Sequence, residues 1–367
     1  MPGLYIHMPF CVQKCRYCDF CSYKSSLCDI PGYIDRLCSE LELYCGESAD
    51  TIYFGGGTPS VVPSDELYRI INCIYCKLDV CKNSEITIEV NPGTVTPEKA
   101  SELKKIGFNR VSLGAQSFSD SELKILGRIH SSEEIRSSYS MLRNSGFDNI
   151  SLDLMYAIPN QTVKTLSTSI DEVLNLSPEH ISCYGLKFEP GTPFYDMKKK
   201  GIITQQSDDI YADMYDLIRE KLHTNGYIQY ELSNFSRRGR ESKHNIKYWT
   251  ADEYIGIGAS ASSYYSSARY TRTNDIDIYL KSFENIEYFK LSDADKMSEF
   301  MFLSLRLTGI GAQKNEFFKR FGKTIDSVFH GQLSKHLKNG MIKELPDRYI
   351  LSPKAYYISN YVLCDFV

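Results

Sequence analysis

Residues 5–21 read YIHMPFCVQKCRYCDFC, and their cysteines at positions 11, 15 and 18 form a C-x3-C-x2-C spacing. Three thiolates from one short loop can ligate three irons of a cubane [4Fe–4S] cluster and leave the fourth iron open. An open iron can bind a small molecule through an amine and a carboxylate. The spacing therefore predicts that Cys11, Cys15 and Cys18 are cluster ligands beside a second binding site.

Zinc and disulfides are the alternatives for these cysteines. Cys21 follows Cys18 after two residues, so a four-cysteine zinc knot stays open. Disulfides are disfavoured because the first ten residues lack the basic start and apolar run of a secretory signal. The other cysteines are scattered, as reduced cytosolic thiols are, and we expect a cytoplasmic protein. They stand at positions 28, 38, 45, 73, 76, 81, 183 and 364.

Length and charge limit the class of protein. A chain of 367 residues is typical of one large domain with a smaller one. The net charge of −4 argues against a nucleic-acid partner held mainly by counterion release. No stretch approaches about 18 consecutive apolar residues, so we expect no transmembrane helix. Weak membrane association and the choice between monomer and dimer stay open.

Strand and helix patterns alternate through the first half of the chain. Helices are predicted at residues 33–44, from Thr96 to Gly107, and from Ser131 to Gly146. Strands are predicted at residues 4–7, 51–54, 85–90, 110–113, 149–154 and 180–186. Six strands separated by helices predict an α/β fold, a partial (β/α)6 barrel with a parallel sheet and right-handed crossovers.

The last part of the chain has a different pattern. Helices are predicted at residues 300–307, 315–321 and 325–339, and strands at 340–342 and 348–351. This succession predicts a small C-terminal winged-helix-like domain without a dense basic face, suited to packing or protein docking. The predicted division is residues 1–235 for the barrel core, 236–292 for a connecting region packed on it, and 293–367 for the C-terminal domain.

Unusual polar residues follow the predicted strands at their carboxyl ends, where barrel enzymes build their sites. They are His7 with the cysteine loop, the GGGTP turn at 55–59, Glu89, Gln116, Asp153 and Tyr184. Their convergence predicts one shared site. Each has a plainer alternative, which is a tight turn for the glycines and an ion pair for Glu89, because a buried carboxylate needs a partner. Arg128 is suited to pairing with a ligand carboxylate.

Further motifs follow the cysteine loop in a fixed order. They are GGGTPS at 55–60, EVNPGT at 89–94, GAQSF at 114–118, LGRIH at 126–130, LDLMYAIPNQT at 152–162, HNIKYW at 244–249 and YIGIGASA at 254–261. In this order they resemble the oxygen-independent coproporphyrinogen oxidase family of radical S-adenosylmethionine (radical SAM) proteins, and most closely its haem-chaperone branch. The resemblance extends from Tyr5 to Tyr264.

The resemblance implies specific cofactor contacts. Cys11, Cys15 and Cys18 would ligate the cluster, and Tyr5 and Tyr17 would lie beside the cluster and S-adenosylmethionine. The residues implied to contact S-adenosylmethionine are Gly56, Gly57, Thr58, Glu89, Gln116, Arg128 and Asp153. The implied chemistry is reductive cleavage of S-adenosylmethionine to methionine and a 5′-deoxyadenosyl radical, which the cofactors carry while the protein orients them.

Two features favour the chaperone branch over the oxidases of the family. Oxidases have a fourth cysteine at the position that Phe20 occupies here, and they have a long arm before the cysteine loop, where this chain has ten residues before Cys11. Cys21 stands one position further on. It is interpreted as a packed thiol, with a cluster neighbour as the alternative.

His244 is the candidate haem contact. It precedes Tyr248 and the single tryptophan, Trp249, and follows the basic run at 237–240. Haem needs an axial donor, a flat apolar surface and cations for its propionates. The plain alternatives are a hydrogen-bonded buried histidine and a solvated basic loop. The resemblance implies that the chain binds haem and delivers it to acceptor haemoproteins of respiration. A coproporphyrinogen III oxidase and a zinc-knotted barrel without radical chemistry are the alternatives.

Overall fold

The computed structural model describes residues 1–25 and 29–367, so Cys28 lies outside the described residues. Strands alternate with helices through most of the chain. The strands are β1 Gly3–Met8, β2 Phe10–Cys11, β3 Tyr23–Lys24, β4 Ser48–Gly56, β5 Asp79–Val90, β6 Arg110–Gln116, β7 Ile150–Tyr156, β8 His180–Gly185, β9 Ile228–Gln229, β10 Asn234–Ser236, β11 Tyr254–Ile257, β12 Ser262–Tyr265, β13 Ala268–Arg272, β14 Ile286–Lys290, β15 Ala312–Gln313, β16 Ile342–Glu344 and β17 Arg348–Leu351.

The helices cover the outer faces of the sheet and build the C-terminal region. They are α1 Ile30–Leu41, α2 Ser64–Lys77, α3 Pro97–Ile106, α4 Asp120–Leu126, α5 Ser132–Asn144, α6 Val163–Leu176, α7 Pro193–Lys199, α8 Asp208–Thr224, α9 Lys243–Trp249, α10 Ile276–Lys281, α11 Asp293–Ser304, α12 Lys314–Phe321, α13 Ile325–Val328, α14 His330–Lys338 and α15 Ser359–Leu363. No helix in the described part of the chain combines the length and the apolar character that crossing a membrane requires.

The six predicted strands form the centre of one sheet. β1, β4, β5, β6, β7 and β8 lie side by side in that order, and each pair is parallel. Every one of them is connected to the next through at least one helix, as right-handed parallel sheets require. This arrangement confirms the predicted α/β barrel.

Local signals start α3 and α5 where the sequence predicted them. The Thr96 side chain accepts a hydrogen bond from the Lys99 amide, and α3 ends at Gly107, whose φ of 115° suits only glycine well. Ser131 and Glu134 form the predicted capping box at the start of α5. The helix predicted at 33–44 begins earlier, at Ile30, because Asp29 caps it.

The sheet is larger than the six strands predicted. β11 pairs with β1 in parallel, with Gly3 opposite Tyr254, and β12, β13 and β14 continue that edge as antiparallel strands. The other edge continues from β8 to β10 and β9. No local pattern predicts β11, because its partner β1 is distant in sequence and its own four residues show no alternation.

The C-terminal region contains helices and a β-ribbon, as predicted. Its ribbon has three strands in the order β15-β17-β16. The helix predicted at 325–339 is two helices, α13 and α14, because Phe329 at φ −116° and ψ 31° leaves the helical conformation. The boundaries at 235/236 and 292/293 remain predictions.

Candidate active site

A cavity of about 860 Å³ is lined by residues of the barrel strands, of α9 and of the C-terminal region. All of the residues predicted to contact the cluster, S-adenosylmethionine or haem line it, whereas His7 does not. They are Tyr5, Cys11, Cys15, Tyr17, Cys18, Gly56, Gly57, Thr58, Glu89, Gln116, Arg128, Asp153 and His244. Residues predicted from separate strand ends are therefore brought to one site.

The three cysteines of the predicted cluster loop have free thiols at one end of this cavity. The Cys11 sulfur is 3.4 Å from the Thr58 hydroxyl, and Arg128 Nη1 donates to the Cys15 sulfur at 3.6 Å. Burial raises the pKa of the Cys18 thiol to about 11, so a thiolate there needs positive charge beside it. Iron would supply that charge, and the donor set fits a cluster with three cysteine ligands.

Cys21 is separate from these three cysteines. Its sulfur donates a hydrogen bond to the Asn274 carbonyl at 3.2 Å, and it does not line the cavity. Among the residues that the structure describes, no three His, Cys, Asp or Glu side chains are grouped closely enough to hold a metal ion between them. The position of Cys21 favours the packed thiol over the four-cysteine zinc knot. Phe20 is 64 % exposed and lies on the cavity wall.

The glycine turn after β4 packs directly on the backbone of the cysteine loop. Gly57 N donates to Met8 O at 2.9 Å, and Thr58 N donates to Phe10 O at 2.7 Å. A Cβ on Gly57 would lie 2.7 Å from Phe10 O, so a larger residue would displace one backbone from the other. Gly56 has a φ of 105°, which L side chains rarely adopt. The turn therefore fixes the position of the loop.

Glu89 is held by hydrogen bonds and forms no ion pair with any residue the structure describes. The Tyr53 hydroxyl donates to Oε1 at 2.8 Å, and Gly56 N donates to Oε2 at 3.2 Å. Burial is the main cause that raises the pKa of Glu89 to about 7, and the charge of Asp153 adds to it. The carboxylate keeps further lone pairs for a ligand hydroxyl.

Gln116 and Arg128 lie near the carboxyl end of β6. Gln116 has a φ of 67°, in the left-handed region that non-glycine residues adopt mainly where the surrounding structure enforces it. Arg128 donates from Nη1 to Asn91 Oδ1 at 3.1 Å and from Nη2 to Gly114 O at 2.8 Å. These bonds hold the guanidinium at the cavity wall next to Cys15.

Asp153 and the two tyrosines complete the predicted cofactor contacts. Ser112 donates to both oxygens of Asp153 at 3.0 and 3.1 Å, and burial raises the pKa of Asp153. The Tyr5 hydroxyl is 3.0 Å from His7 Nδ1, with the donor set by the histidine tautomer. Tyr17 packs against a small apolar cluster that includes Leu126.

His244 is fully buried on α9 at 0 % exposure. Its Nδ1 is 2.9 Å from the Thr51 hydroxyl, its Nε2 is 2.8 Å from the Tyr248 hydroxyl, and its ring stacks on Tyr53 with centroids 5.2 Å apart. Burial lowers its pKa to about 3, so the ring is neutral. Both nitrogens are engaged, and iron ligation would require one hydrogen bond to break. The basic run at 237–240 does not line the cavity.

Sequence reasoning missed two arginines that line the cavity. Arg110 begins β6 and points into the barrel, and Arg306 lies over the Trp249 ring at 4.4 Å from the C-terminal side. The alternation of Arg110 with Ser112 and Gln116 along one strand face was the available signal for the first. Nothing in the sequence indicated that Arg306 meets Trp249.

The comparisons with known proteins agree with this geometry. The sequence pattern of the Radical SAM superfamily matches residues 5–173. The solved structure described as "Coproporphyrinogen III oxidase (HemN) from Escherichia coli is a Radical SAM enzyme" shares the fold, with a TM-score of 0.85 over 100 % of this chain and 90 % of that one at 20 % identity. The chain is a radical SAM protein, a class whose membership implies a [4Fe–4S] cluster and S-adenosylmethionine.

Curated relatives narrow the class further. The chain is 36 % identical to "Heme chaperone HemW" of Lactococcus lactis subsp. lactis over 366 residues, covering 99 % of this chain and 96 % of the relative. It is 34 % identical to the protein of the same name from Bacillus subtilis, and the match covers 100 % of this chain and 99 % of that protein. It is 32 % identical to the protein of that name from Escherichia coli, and the match covers 98 % of this chain and 97 % of that protein. The chain belongs to the HemW family.

Proposed function

We propose that this chain is a cytoplasmic haem chaperone, which binds haem and delivers it to acceptor haemoproteins of respiration. The observation that carries the proposal is the shared cavity, which both the cysteine triad and the aromatic wall of His244, Tyr248 and Trp249 line. The family relationship supports the same function, since the relatives are named heme chaperones.

We further propose the cofactor contacts. Cys11, Cys15 and Cys18 ligate the [4Fe–4S] cluster, with Tyr5 and Tyr17 beside it. When bound, the cluster supplies the electron for reductive cleavage of S-adenosylmethionine. The residues proposed to contact S-adenosylmethionine are Gly56, Gly57, Thr58, Glu89, Gln116, Arg128 and Asp153.

The side chains are suited to separate parts of that ligand. Arg128 offers a cation next to Cys15, which would pair with the methionyl carboxylate. Glu89 and Asp153 are acceptors held in place by their own donors, and they would bind ribose hydroxyls. The Gly56–Gly57 backbone lines the cavity, where its polar groups would contact the ligand.

We propose His244 as the haem contact. Its neutral ring lies on the cavity wall and can offer Nε2 as an axial donor once the Tyr248 hydroxyl releases it. A typical net hydrogen bond is worth about 1 kcal/mol, so the release reduces haem affinity by only a modest factor. Such a modest cost is compatible with reversible loading and delivery.

An anaerobic experiment tests the function. The cluster-loaded protein is mixed with S-adenosylmethionine, a reductant and coproporphyrinogen III, and tetrapyrroles and 5′-deoxyadenosine are followed by mass spectrometry. In parallel, haem is titrated and its Soret band recorded. We expect saturable haem binding and 5′-deoxyadenosine without decarboxylated porphyrin. A Cys15→Ser variant is the control for cluster-dependent cleavage.

The second candidate function is a coproporphyrinogen III oxidase, favoured by the fold shared with HemN at a TM-score of 0.85. Protoporphyrinogen formed over many turnovers would establish it and remove the chaperone proposal. A protein that binds no haem at any tested concentration would also remove the chaperone proposal, whatever the fate of S-adenosylmethionine.

A further inference from the structure

Arg110 is a buried cation whose donors are not used. Its side chain is 1 % exposed, and its Nε and Nη1 have no hydrogen-bond partner among the residues that the structure describes. By contrast, the buried Arg272 pairs with Glu40 at 2.6 Å. Burying a charge without a paired partner is strongly unfavourable, so a missing anion is the physical explanation that Arg110 calls for.

The nearby carboxylates Glu89 and Asp153 interact with Arg110 through charge, but they accept their hydrogen bonds from other residues. Arg110 acts on Glu89 and Asp153 through its charge, which counters the burial that raises the pKa of both carboxyls. Both carboxylates take their hydrogen bonds from other groups, which are a tyrosine, a backbone amide and serines. Arg110 lines the cavity, and its Nε and Nη1 donate to no residue that the structure describes.

The anion expected at Arg110 is not the methionyl carboxylate of S-adenosylmethionine, which is proposed to bind Arg128. Arg110 and Gln116 begin and end β6, and six residues of strand span about 20 Å. Arg128, next to Cys15, belongs to the Gln116 end of that strand. Arg110 lies at the amino end of β6, where its charge acts on His244 as well as on Glu89 and Asp153.

We propose that Arg110, at the amino end of β6, binds a carboxylate of the tetrapyrrole, one of its propionates. The inference rests on the proposed haem function and deepens it. A guanidinium binds a carboxylate with two parallel hydrogen bonds, which satisfies the donors that the protein leaves unpaired. The ligand's ring system then extends along the wall that Tyr248 and Trp249 provide, with His244 within the same space.

Haem titration of the full-length, cluster-loaded protein tests the proposal. The probes are haem and haem dimethyl ester, whose propionates carry no charge. The variants are Arg110→Gln and, as the matched control, Arg238→Gln, an exposed arginine of the basic run. We expect the wild type and Arg238→Gln to bind haem about tenfold to a hundredfold more tightly than the diester. We expect Arg110→Gln to bind haem as weakly as the diester.

The outcomes distinguish a failure of propionate binding at Arg110 from a failure of the proposed haem-chaperone function. If Arg110→Gln prefers haem over the diester as strongly as the wild type does, the subsite is wrong while the chaperone proposal stands. If Arg238→Gln loses the preference instead, the propionates are bound at the basic run and the subsite is again wrong. If the wild type binds neither probe, both proposals are lost together.

A second measurement distinguishes ligand binding from a structural role. Arg110→Met removes an unpaired charge, so we expect a melting temperature of the haem-free protein equal to or above that of the wild type, with weaker haem binding. Arg272→Met leaves Glu40 buried without its partner and should melt at a lower temperature. An Arg110→Met protein that is strongly destabilised, or an Arg110→Lys protein that binds haem like the wild type, would overturn bidentate carboxylate binding.

Discussion

The Glu89 carboxyl keeps its proton to higher pH than an exposed glutamate does, because burial raises its pKa from 4.5 to about 7. Between these two values the folded protein binds more protons than the unfolded chain, so the free energy of unfolding falls as pH rises through this window. Glu89→Gln cannot titrate. Relative to the wild type, we expect it to gain about 2 to 3 kcal/mol of unfolding free energy between pH 5 and pH 8.

Urea titrations of the cluster-free chain at several pH values measure that gain. The variant also loses an acceptor for the Gly56 amide, which adds a constant cost and leaves the pH slope unchanged. Glu284→Gln, on the exposed surface, is the control for the loss of one carboxyl. A difference between Glu89→Gln and the wild type that stays constant from pH 5 to pH 8 would contradict the raised pKa.

Tyr248 controls the second nitrogen of His244. Its hydroxyl is 2.8 Å from Nε2, and haem ligation must break that bond. We expect Tyr248→Phe to raise haem affinity about twofold to tenfold, the worth of one net hydrogen bond. Soret titration measures it. Tyr254→Phe is the control, because its hydroxyl contacts Arg269 and not His244. Unchanged affinity in Tyr248→Phe would argue against Nε2 as the iron ligand.

At the scale of single elements, the turn after β4 and the cysteine loop form one unit. A methyl group on Gly57 would meet backbone atoms of Met8 and Phe10, which cannot move aside as a side chain can. We expect Gly57→Ala to displace the loop, cost about 1 to 3 kcal/mol of stability and lower the iron content per chain. Iron analysis and absorption near ~400 nm measure the cluster.

Gly309→Ala provides the matched control, since no atom outside its immediate chain neighbours lies within 4 Å of a Cβ built at that position. If Gly57→Ala retains the iron content of Gly309→Ala, the turn does not position the cluster loop. The comparison separates a local clash at the loop from any general effect of replacing glycine with alanine.

Elements with local signals were predictable, and elements joined over long sequence distances were not. β4 to β8 could be predicted because each is a run of β-branched and apolar residues bounded by turn or cap signals. α9 was recognised only as a motif. Its position against the barrel depends on Glu85, whose carboxylate accepts hydrogen bonds from the Lys243 and His244 amides at 3.2 and 3.1 Å. No periodicity in either segment records that contact.

The same limit applies to the candidate site. Gln116 and Asp153 were predictable because strand ends of a barrel converge. Arg110 shares a strand face with Ser112 and Gln116, but an arginine at the start of a strand is normally solvated, so only the assembled sheet shows that it is buried. The bonds of His244 to Thr51 and Tyr248 likewise require the fold, although the residue itself was identified from its motif.

At the scale of the whole molecule, the cavity is walled by three distant parts of the chain. The barrel strands supply the cysteine end, α9 supplies Tyr248 and Trp249, and the C-terminal region supplies Arg306, Tyr356 and Asn360. Arg320 on α12 holds these parts together by donating to the Thr250 and Ala251 carbonyls at 3.0 Å. A ligand that fills the cavity would therefore contact the barrel, α9 and the C-terminal region together.

This arrangement predicts different hydrogen-exchange patterns for the two proposed ligands. S-adenosylmethionine should slow amide exchange mainly at residues 55–58 and 114–116, near the cysteine loop. Haem should slow exchange in α9 and at residues 353–360, because it would contact both segments. Local opening of either segment would then also require the free energy of haem binding. Exchange of the cluster-loaded protein with each ligand alone measures this. Haem protection confined to residues 237–240 would mean that haem binds the basic loop outside the cavity, since that run does not line it.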